Sequence, residues 1–317
     1  MLCFIIFCIF FIGILSKVTN AWCCSKVCLV GKTAIITGGN SGIGYQIALS
    51  LASRGCKVII ADKDDGSRSK HKIMEETNNK NIFVKKMDLA SLNSVRKFAE
   101  YIKETQPKID ILINNAGIGS TALKFTEDGL QRTMQINYLG HFLLTYLLLD
   151  VMKKSAPSRI IFTNSIGCFF TLLKLEDLDP RENYPNPYKI YLKSKLFLAV
   201  AAKHFASKLR DSNVTVNSFH PGAARSGIFL KAVNDEISLY PIVLGLLTIP
   251  FGKSTEEAAQ TAIHLACDKK VEDVTGKFFL ECRQFLMPFQ TTNTEFCKEV
   301  FEYSKKLVKL KPEEYTI

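Results

Sequence analysis

The feature that most constrains this chain is a glycine cluster between a β-branched run and a helix-forming stretch. Lys32–Thr37 passes straight into Thr37-Gly38-Gly39-Asn40-Ser41-Gly42-Ile43-Gly44, and Ile47, Ala48 and Leu51 follow at helical spacing. Glycine suits such a place because the turn is tight, because a backbone without Cβ lets a pyrophosphate approach, and because the helix must pack close to the strand. The free N–H groups of the helix start then form an anion site. A second β-branched run, Lys57–Ala61, leads to Asp62, a carboxylate placed to meet ribose hydroxyls.

Short β-branched runs and longer amphipathic stretches alternate along the rest of the chain. The predicted strands are Lys32–Thr37, Lys57–Ala61, Ile82–Lys86, Ile109–Ile113, Arg159–Thr163, Val214–Ser218 and Lys277–Leu280. Helices are predicted near Gly42–Arg54, Ser91–Gln106, Thr126–Met152, Pro187–Arg210 and Ser254–Cys267. This pattern predicts an α/β fold, a single doubly wound parallel-sheet (Rossmann) domain with helices on both faces. With no repeat or Pro/Gly/Ser-rich linker to interrupt it, one domain is expected over residues 29–288, with 289–317 as a basic, helical tail. Two segments break the alternation, Cys168–Pro187 with Phe169, Phe170, Leu172 and Leu173, and the apolar Ile237–Phe251. Each reads either as a ligand-binding loop at the carboxyl ends of strands or as an extra core segment.

Residues 1–22 read as a hydrophobic anchor or a signal peptide, since Leu2–Leu15 carries no charge. No basic residue precedes the run, which argues for an uncleaved anchor. Lys17, Lys26 and Lys32 follow it and place the main domain in the cytosol by the positive-inside rule. In the secreted alternative, Asn213-Val214-Thr215 would become a glycosylation acceptor. The net charge of +11 invites nucleic acid or an anionic membrane, but no nucleic-acid motif accompanies it, so no nucleic-acid partner is expected. Five cysteines (Cys3, Cys8, Cys23, Cys24, Cys28) crowd the amino terminus, and Cys56, Cys168, Cys267, Cys282 and Cys297 are scattered without paired CxxC spacing. His71, His141, His204, His220 and His264 are equally dispersed. Spacing therefore supports neither a disulfide framework nor a metal site.

The GxxxGxG spacing with its leading Thr37 resembles the short-chain dehydrogenase/reductase family, over residues 29 to 285. Asn114-Asn115-Ala116-Gly117 matches that family's sheet-supporting motif beside the cofactor. Asp88 and Leu89 match the positions that flank adenine, and Pro221-Gly222 matches the nicotinamide-side loop, with Ser226 where Thr is common. The resemblance implies NAD or NADP, held by Gly38, Asn40, Ser41, Gly42, Ile43, Gly44, Asp62, Lys63, Asp88, Leu89, Asn115, Ala116, Gly117, Tyr191, Lys195, Pro221 and Gly222. Asp62 would repel a 2′-phosphate and so favours NAD. Lys63 follows it, where the NADP-preferring retinol dehydrogenase branch usually carries a Cys-Arg pair at these two places.

Tyr191 and Lys195 stand at i and i+4, on one face of a helix. A free tyrosine has a pKa of about 10, too high for a base at neutral pH, and a nearby ammonium favours the phenolate. Ser165 ends the fifth predicted strand, at the edge where a substrate oxygen would sit. The family resemblance implies that Tyr191 exchanges a proton, Lys195 tunes it and holds the nicotinamide ribose, Ser165 orients the oxygen and Asn137 supports a proton relay. The overall pattern is most similar to the retinol dehydrogenase-like branch. That implies an oxidoreductase for a lipophilic alcohol and its aldehyde or ketone, anchored in the endoplasmic reticulum membrane with its catalytic domain in the cytosol, and a homodimer. A steroid or isoprenoid-alcohol dehydrogenase of the same family and a silent nucleotide-binding scaffold are the alternatives. A sugar-nucleotide epimerase conflicts with the glycine spacing.

Overall fold

The structure, a computed structural model, describes residues 20–119, 123–180, 186–224 and 252–314. Leu2–Leu15, Ser226 and Ile237–Phe251 lie outside the described residues. Among the described residues, no helix is long and apolar enough to cross a membrane.

The strands are β1 Thr33–Thr37, β2 Lys57–Asp62, β3 Ile82–Lys86, β4 Ile111–Asn114, β5 Ser158–Thr163, β6 Val214–His220, β7 Phe278–Leu280 and β8 Arg283–Phe285. They form one sheet in the order β3-β2-β1-β4-β5-β6-β7-β8. All neighbours are parallel except β7 and β8, which form an antiparallel edge. The central strands are covered on both faces, so they read as unbroken apolar runs such as Ala34-Ile35-Ile36. Successive residues still point to opposite layers: Ile35 packs in one buried cluster and Ala34 and Ile36 in the other.

Helices α1 Gly42–Ser53, α2 Ser67–Thr77 and α6 Thr255–Cys267 supply the second of these layers, and α3 Leu92–Thr105, α4 Gly140–Lys154, α5 Pro187–Lys208 and α7 Thr294–Leu307 the first. Helix α3 buries Leu92, Val95, Phe98, Ala99 and Ile102 along one stripe and is capped by Ser91, whose Oγ accepts from the Ser94 N–H at 3.3 Å. Helix α2 is absent from the sequence reading. It buries little more than Ser69 and Ile73, so its apolar periodicity gives almost no signal. The helix expected from Thr126 instead begins with Arg132–Met134, widens into a π turn at Gln135–Leu139 and continues as α4.

Helix α7 is more than a surface tail. Its Cys297, Val300 and Phe301 are buried in the core, and the Phe301 ring lies 5.0 Å from Phe142 and 4.9 Å from Phe205, both edge-on. Tyr138 and Ser304 share a 2.7 Å hydrogen bond, and Arg96 donates to the Val308 carbonyl at 2.9 Å. The packed unit therefore runs past Pro288. Replacing Phe301 by Ala is expected to cost about 3–5 kcal/mol, read as a lower urea midpoint at unchanged slope. A midpoint near that of the unaltered protein would mean that α7 is a dispensable appendage.

Candidate active site

The strand order reverses direction between β1 and β4, which opens a crevice beyond their carboxyl ends. The glycine loop leaves β1 into this crevice. Gly38 and Gly42 have φ of +68° and +59°, where a side chain would be strained. A Cβ on Gly44 would lie 2.2 Å from the Gly38 carbonyl oxygen and 2.6 Å from Asn115 Nδ2. Ser41 precedes the helix in extended conformation and makes no side-chain capping bond, so neither its hydroxyl nor a carboxylate in the first turn occupies the α1 amino terminus. Asp62, at the end of β2, accepts the Asn40 N–H at 3.2 Å and the Asp64 N–H at 3.3 Å, which holds its carboxylate beside the loop.

The Thr37 hydroxyl joins the loop to the strand beside it. Its Oγ1 accepts the N–H groups of Asn115 and Ala116, both at 2.9 Å, so its proton goes to His141 Nε2 at 3.0 Å. His141 is then protonated on Nδ1, which donates to the Asn137 carbonyl at 3.3 Å. Burial holds this imidazole down at about 3, so it is neutral. Asn137 lies in the π turn. Its Oδ1 accepts the Ile118 N–H at 2.9 Å, while Nδ2 donates to the Ile118 carbonyl at 3.0 Å and to Ser194 Oγ at 3.2 Å. Ser194 Oγ in turn donates to the Tyr191 carbonyl at 2.7 Å.

Tyr191 and Lys195 share one face of α5. Lys195 is 3% exposed; its Nζ donates to the Thr163 carbonyl at 3.0 Å and lies 5.9 Å from the Tyr191 ring centre. Burial lowers its pKa to about 8. Burial raises Tyr191 to about 12, against the opposing pull of a hydrogen bond with Ser165. Ser165 begins the short 3-10 turn Ile166–Phe170, and its Oγ accepts the Gly167 N–H at 3.1 Å. The structure thus brings Asn137, Ser165, Tyr191 and Lys195 around one end of the crevice, with Gly117 against them: a Cβ there would lie 3.3 Å from Asn137 Oδ1 and 3.6 Å from Lys195 Nζ.

Pro221-Gly222 follows β6 at the same edge, and Gly222 has φ of +85°. Under it lies Lys253, 2% exposed and ion-paired with Glu281; a Cβ on Gly222 would come within 2.7 Å of its Cδ. Sequence reasoning missed this lysine and His141. A histidine four residues after Asn137 on a helix was the available signal for His141, whereas Lys253 is found from the fold alone. Asp88 accepts the Ala90 N–H at 2.8 Å in the turn after β3, and Leu89 is turned into the core against Gly140. Lys63 lines a neighbouring recess with Lys70 and Lys86.

These residues fit a dinucleotide. The Gly44 and Gly117 positions leave backbone exposed where side chains would fill the crevice, and the α1 amino terminus faces it. At the same edge, Asn164 Nδ2 and His220 Nδ1 are buried without a hydrogen-bond partner among the described residues. Gly38 to Gly44 would hold the phosphates, Asp62 the adenine-side ribose, and Tyr191 with Lys195 the nicotinamide side.

The family model for short chain dehydrogenases matches residues 32–237. Human retinol dehydrogenase 13 is 38% identical over 295 residues, 92% of this chain and 89% of that protein. An uncharacterised protein from Mycobacterium Paratuberculosis superimposes with a TM-score of 0.71 at 24% identity, covering 91% of this chain and 98% of its own. The Pseudomonas aeruginosa RhlG/NADP active-site complex superimposes with a TM-score of 0.63 at 26% identity, over 80% and 95% of the two chains.

Gly44→Ala tests the cradle directly. The added methyl group meets backbone rather than a yielding side chain, so the variant is expected to lose about 1–3 kcal/mol of stability. NADH binding followed by fluorescence should weaken more than about tenfold. Undiminished binding would show that the loop does not close on a ligand here.

Proposed function

This chain belongs to the short-chain dehydrogenase family and is an NAD(P)-dependent oxidoreductase acting on a small molecule, and from that premise we propose that it interconverts a lipophilic alcohol and its aldehyde or ketone. The observation that carries the reading is the meeting of Ser165, Tyr191 and Lys195 at the carboxyl edge beside the glycine loop. When bound, the nicotinamide supplies or accepts the hydride. Tyr191 gives a proton to the substrate oxygen in reduction and takes it back in oxidation. At neutral pH its phenol is protonated, the form needed to donate, and the ammonium of Lys195 favours the phenolate as the proton leaves. Ser165 holds the oxygen by its hydroxyl, and Asn137, through Ser194 and the Tyr191 carbonyl, fixes the turn of α5 that carries both groups.

Three features support a lipophilic substrate. The loop leaving Ser165 exposes Phe170 (76%) and Leu172 (71%), and the segment after β8 exposes Leu286 (73%) and Phe289 (83%). The two segments are joined through Leu173, whose N–H and carbonyl both bond the Gln290 amide. Ala21 donates to Glu281 just past β7, so residue 21, which follows the apolar Leu2–Leu15 in sequence, is held at this same edge. Anchored in the endoplasmic reticulum membrane by residues 1–22, the protein would present its crevice toward the source of a bilayer-soluble substrate, and retinoids are the class that the human relative's name supports.

For the cofactor we favour NAD, because the Asp62 carboxylate, held by two backbone N–H groups, would face a 2′-phosphate. The recess of about 410 Å³ lined by Lys63, Lys70 and Lys86 favours NADP as a second reading. Titration decides between them: NADH is expected to bind more tightly than NADPH, and Asp62→Ala to narrow the gap. Tighter NADPH binding in the unaltered protein would assign the recess to the phosphate.

The reaction is tested with detergent-solubilised full chain and all-trans-retinaldehyde. Tyr191→Phe should lower turnover by more than about a hundredfold while leaving cofactor affinity within a factor of about two. Equal turnover by the variant would overturn the assignment of the proton donor. Cofactor binding without turnover of retinaldehyde, steroid or isoprenoid carbonyls would leave a silent binding scaffold.

A further inference from the structure

Residues 20–28 run as an irregular strap along α6, on the face of the sheet opposite to the Tyr191 helix. Ala21 N–H donates to Glu281 at the carboxyl edge (3.1 Å), Cys23 N–H to Gln260 Oε1 (3.2 Å), and the Ser25 carbonyl accepts from Arg54 at the amino edge (2.6 Å). Midway, Cys23 drops onto the last two turns of α6. Its Sγ lies 4.0 Å from Sγ of Cys267, and single ligand atoms of Cys23, His264 and Asp268 all lie within 4.8 Å of one another.

His264 and Cys267 stand on the last turn of α6 and Asp268 is the residue that caps it, so an imidazole and a carboxylate converge on the cysteine of the strap, with a second thiol beside them. His264 is 8% exposed and Cys267 2%. Zinc takes such ligands at the corners of a tetrahedron with zinc–sulfur distances of about 2.3 Å, which sets two sulfurs about 3.8 Å apart. The two thiols start 4.0 Å apart, within reach of that separation once the Cys267 side chain turns toward the set. We propose that Cys23, His264, Cys267 and Asp268 form a binding site for a thiophilic divalent cation of the zinc class, which clips the strap to α6. Cys267 joins the set by turning its thiol away from the Ile263 carbonyl, to which it donates at 3.0 Å.

The surroundings match the charge of such a site. Two thiolates and a carboxylate exceed the charge of one divalent ion by one. Arg159, which donates to the carbonyls of Leu265 and Asp268 at 2.8 and 3.0 Å, and Arg54, on Ser25, supply positive charge at this end of α6. His264 Nδ1 lies 3.1 Å from Asp268 Oδ2, and Asp268 Oδ1 accepts the Lys270 N–H at 2.9 Å, so both side chains are held in place before an ion arrives. Chain spacing hides the set, because 240 residues lie between Cys23 and His264. The site is remote in role from the reaction and stands whatever the substrate is.

The test uses reduced, chelator-stripped full chain in detergent, titrated with Co²⁺ and then Zn²⁺. One Co²⁺ per chain is expected, with the intense d–d bands of a tetrahedral site and thiolate-to-metal charge transfer, displaced by one equivalent of Zn²⁺. Cys23→Ser, which leaves Cys267 as the one thiolate, should lose Co²⁺ uptake at one equivalent and with it the charge-transfer band, and Cys24→Ser, on the exposed neighbour, should keep both. Undiminished NADH binding by both variants verifies that they are folded, and Zn²⁺ should raise the melting temperature of the unaltered protein but not of Cys23→Ser. Absence of the band, its persistence in Cys23→Ser, or a Cys23–Cys267 disulfide in a protein that takes up no metal once reduced would each overturn the proposal.

Discussion

One hydroxyl proton organises the crevice. Thr37 Oγ1 spends both lone pairs on the N–H groups of Asn115 and Ala116, and its single proton must therefore go to His141. That choice fixes the imidazole tautomer, the tautomer fixes the bond to the Asn137 carbonyl, and the π turn that carries Asn137 sets Ser194 and the start of α5. A wide π turn inside a regular helix costs packing and hydrogen-bond geometry, and it is found mostly where a site needs it. Here it aims an asparagine side chain at the Ile118 backbone next to Gly117, so glycine loop, fourth strand and α5 are held by one connected set of bonds. With His141 wholly buried and uncharged, this network stays in one state across the physiological range.

The same burial makes Tyr191 and Lys195 responsive. A phenol pushed up to about 12 beside an ammonium pushed down to about 8 are two groups whose charged forms are both penalised by desolvation. Each would gain from the charge of the other. In water the pair would be worth little, whereas in the buried end of the crevice a phenolate and an ammonium would attract each other more strongly. The fold provides that burial through α4, which is itself buried along nearly its whole length, and through the Ile166–Phe170 turn lying over the start of α5.

Sequence carried the strands, the glycine loop and the Tyr-Lys pair because each depends on local periodicity or fixed spacing. It lost whatever depends on long-range packing. Helix α2 is polar almost throughout, so nothing in its pattern separates it from a loop, and β8 is three exposed residues defined only by its partner. The role of α7 was hidden because lysines and glutamates, five of each, crowd residues 289–317 while Val300 and Phe301, which decide its packing, are few. Lys253 stands in no motif, and the Cys23 cluster is assembled from residues at the two ends of the chain.

That cluster and Lys253 belong to one physical connection. The strap begins at Glu281, whose carboxylate accepts the Ala21 N–H and pairs with the buried Lys253. Removing either charge would leave the other uncompensated in the interior, which costs several kcal/mol, whereas the intact pair contributes little by itself. Its value here is positional. The stem of Lys253 fills the space that a side chain at Gly222 would need, and Gly222 shapes the turn that follows β6 at the carboxyl edge. The path of residues 20–28 is thereby tied, through one carboxylate and one lysine, to the backbone that would close over the cofactor. A fold that needed only to bind a nucleotide could leave that strap loose; holding it along α6 gives residues 20–28 a fixed position relative to the mouth of the crevice.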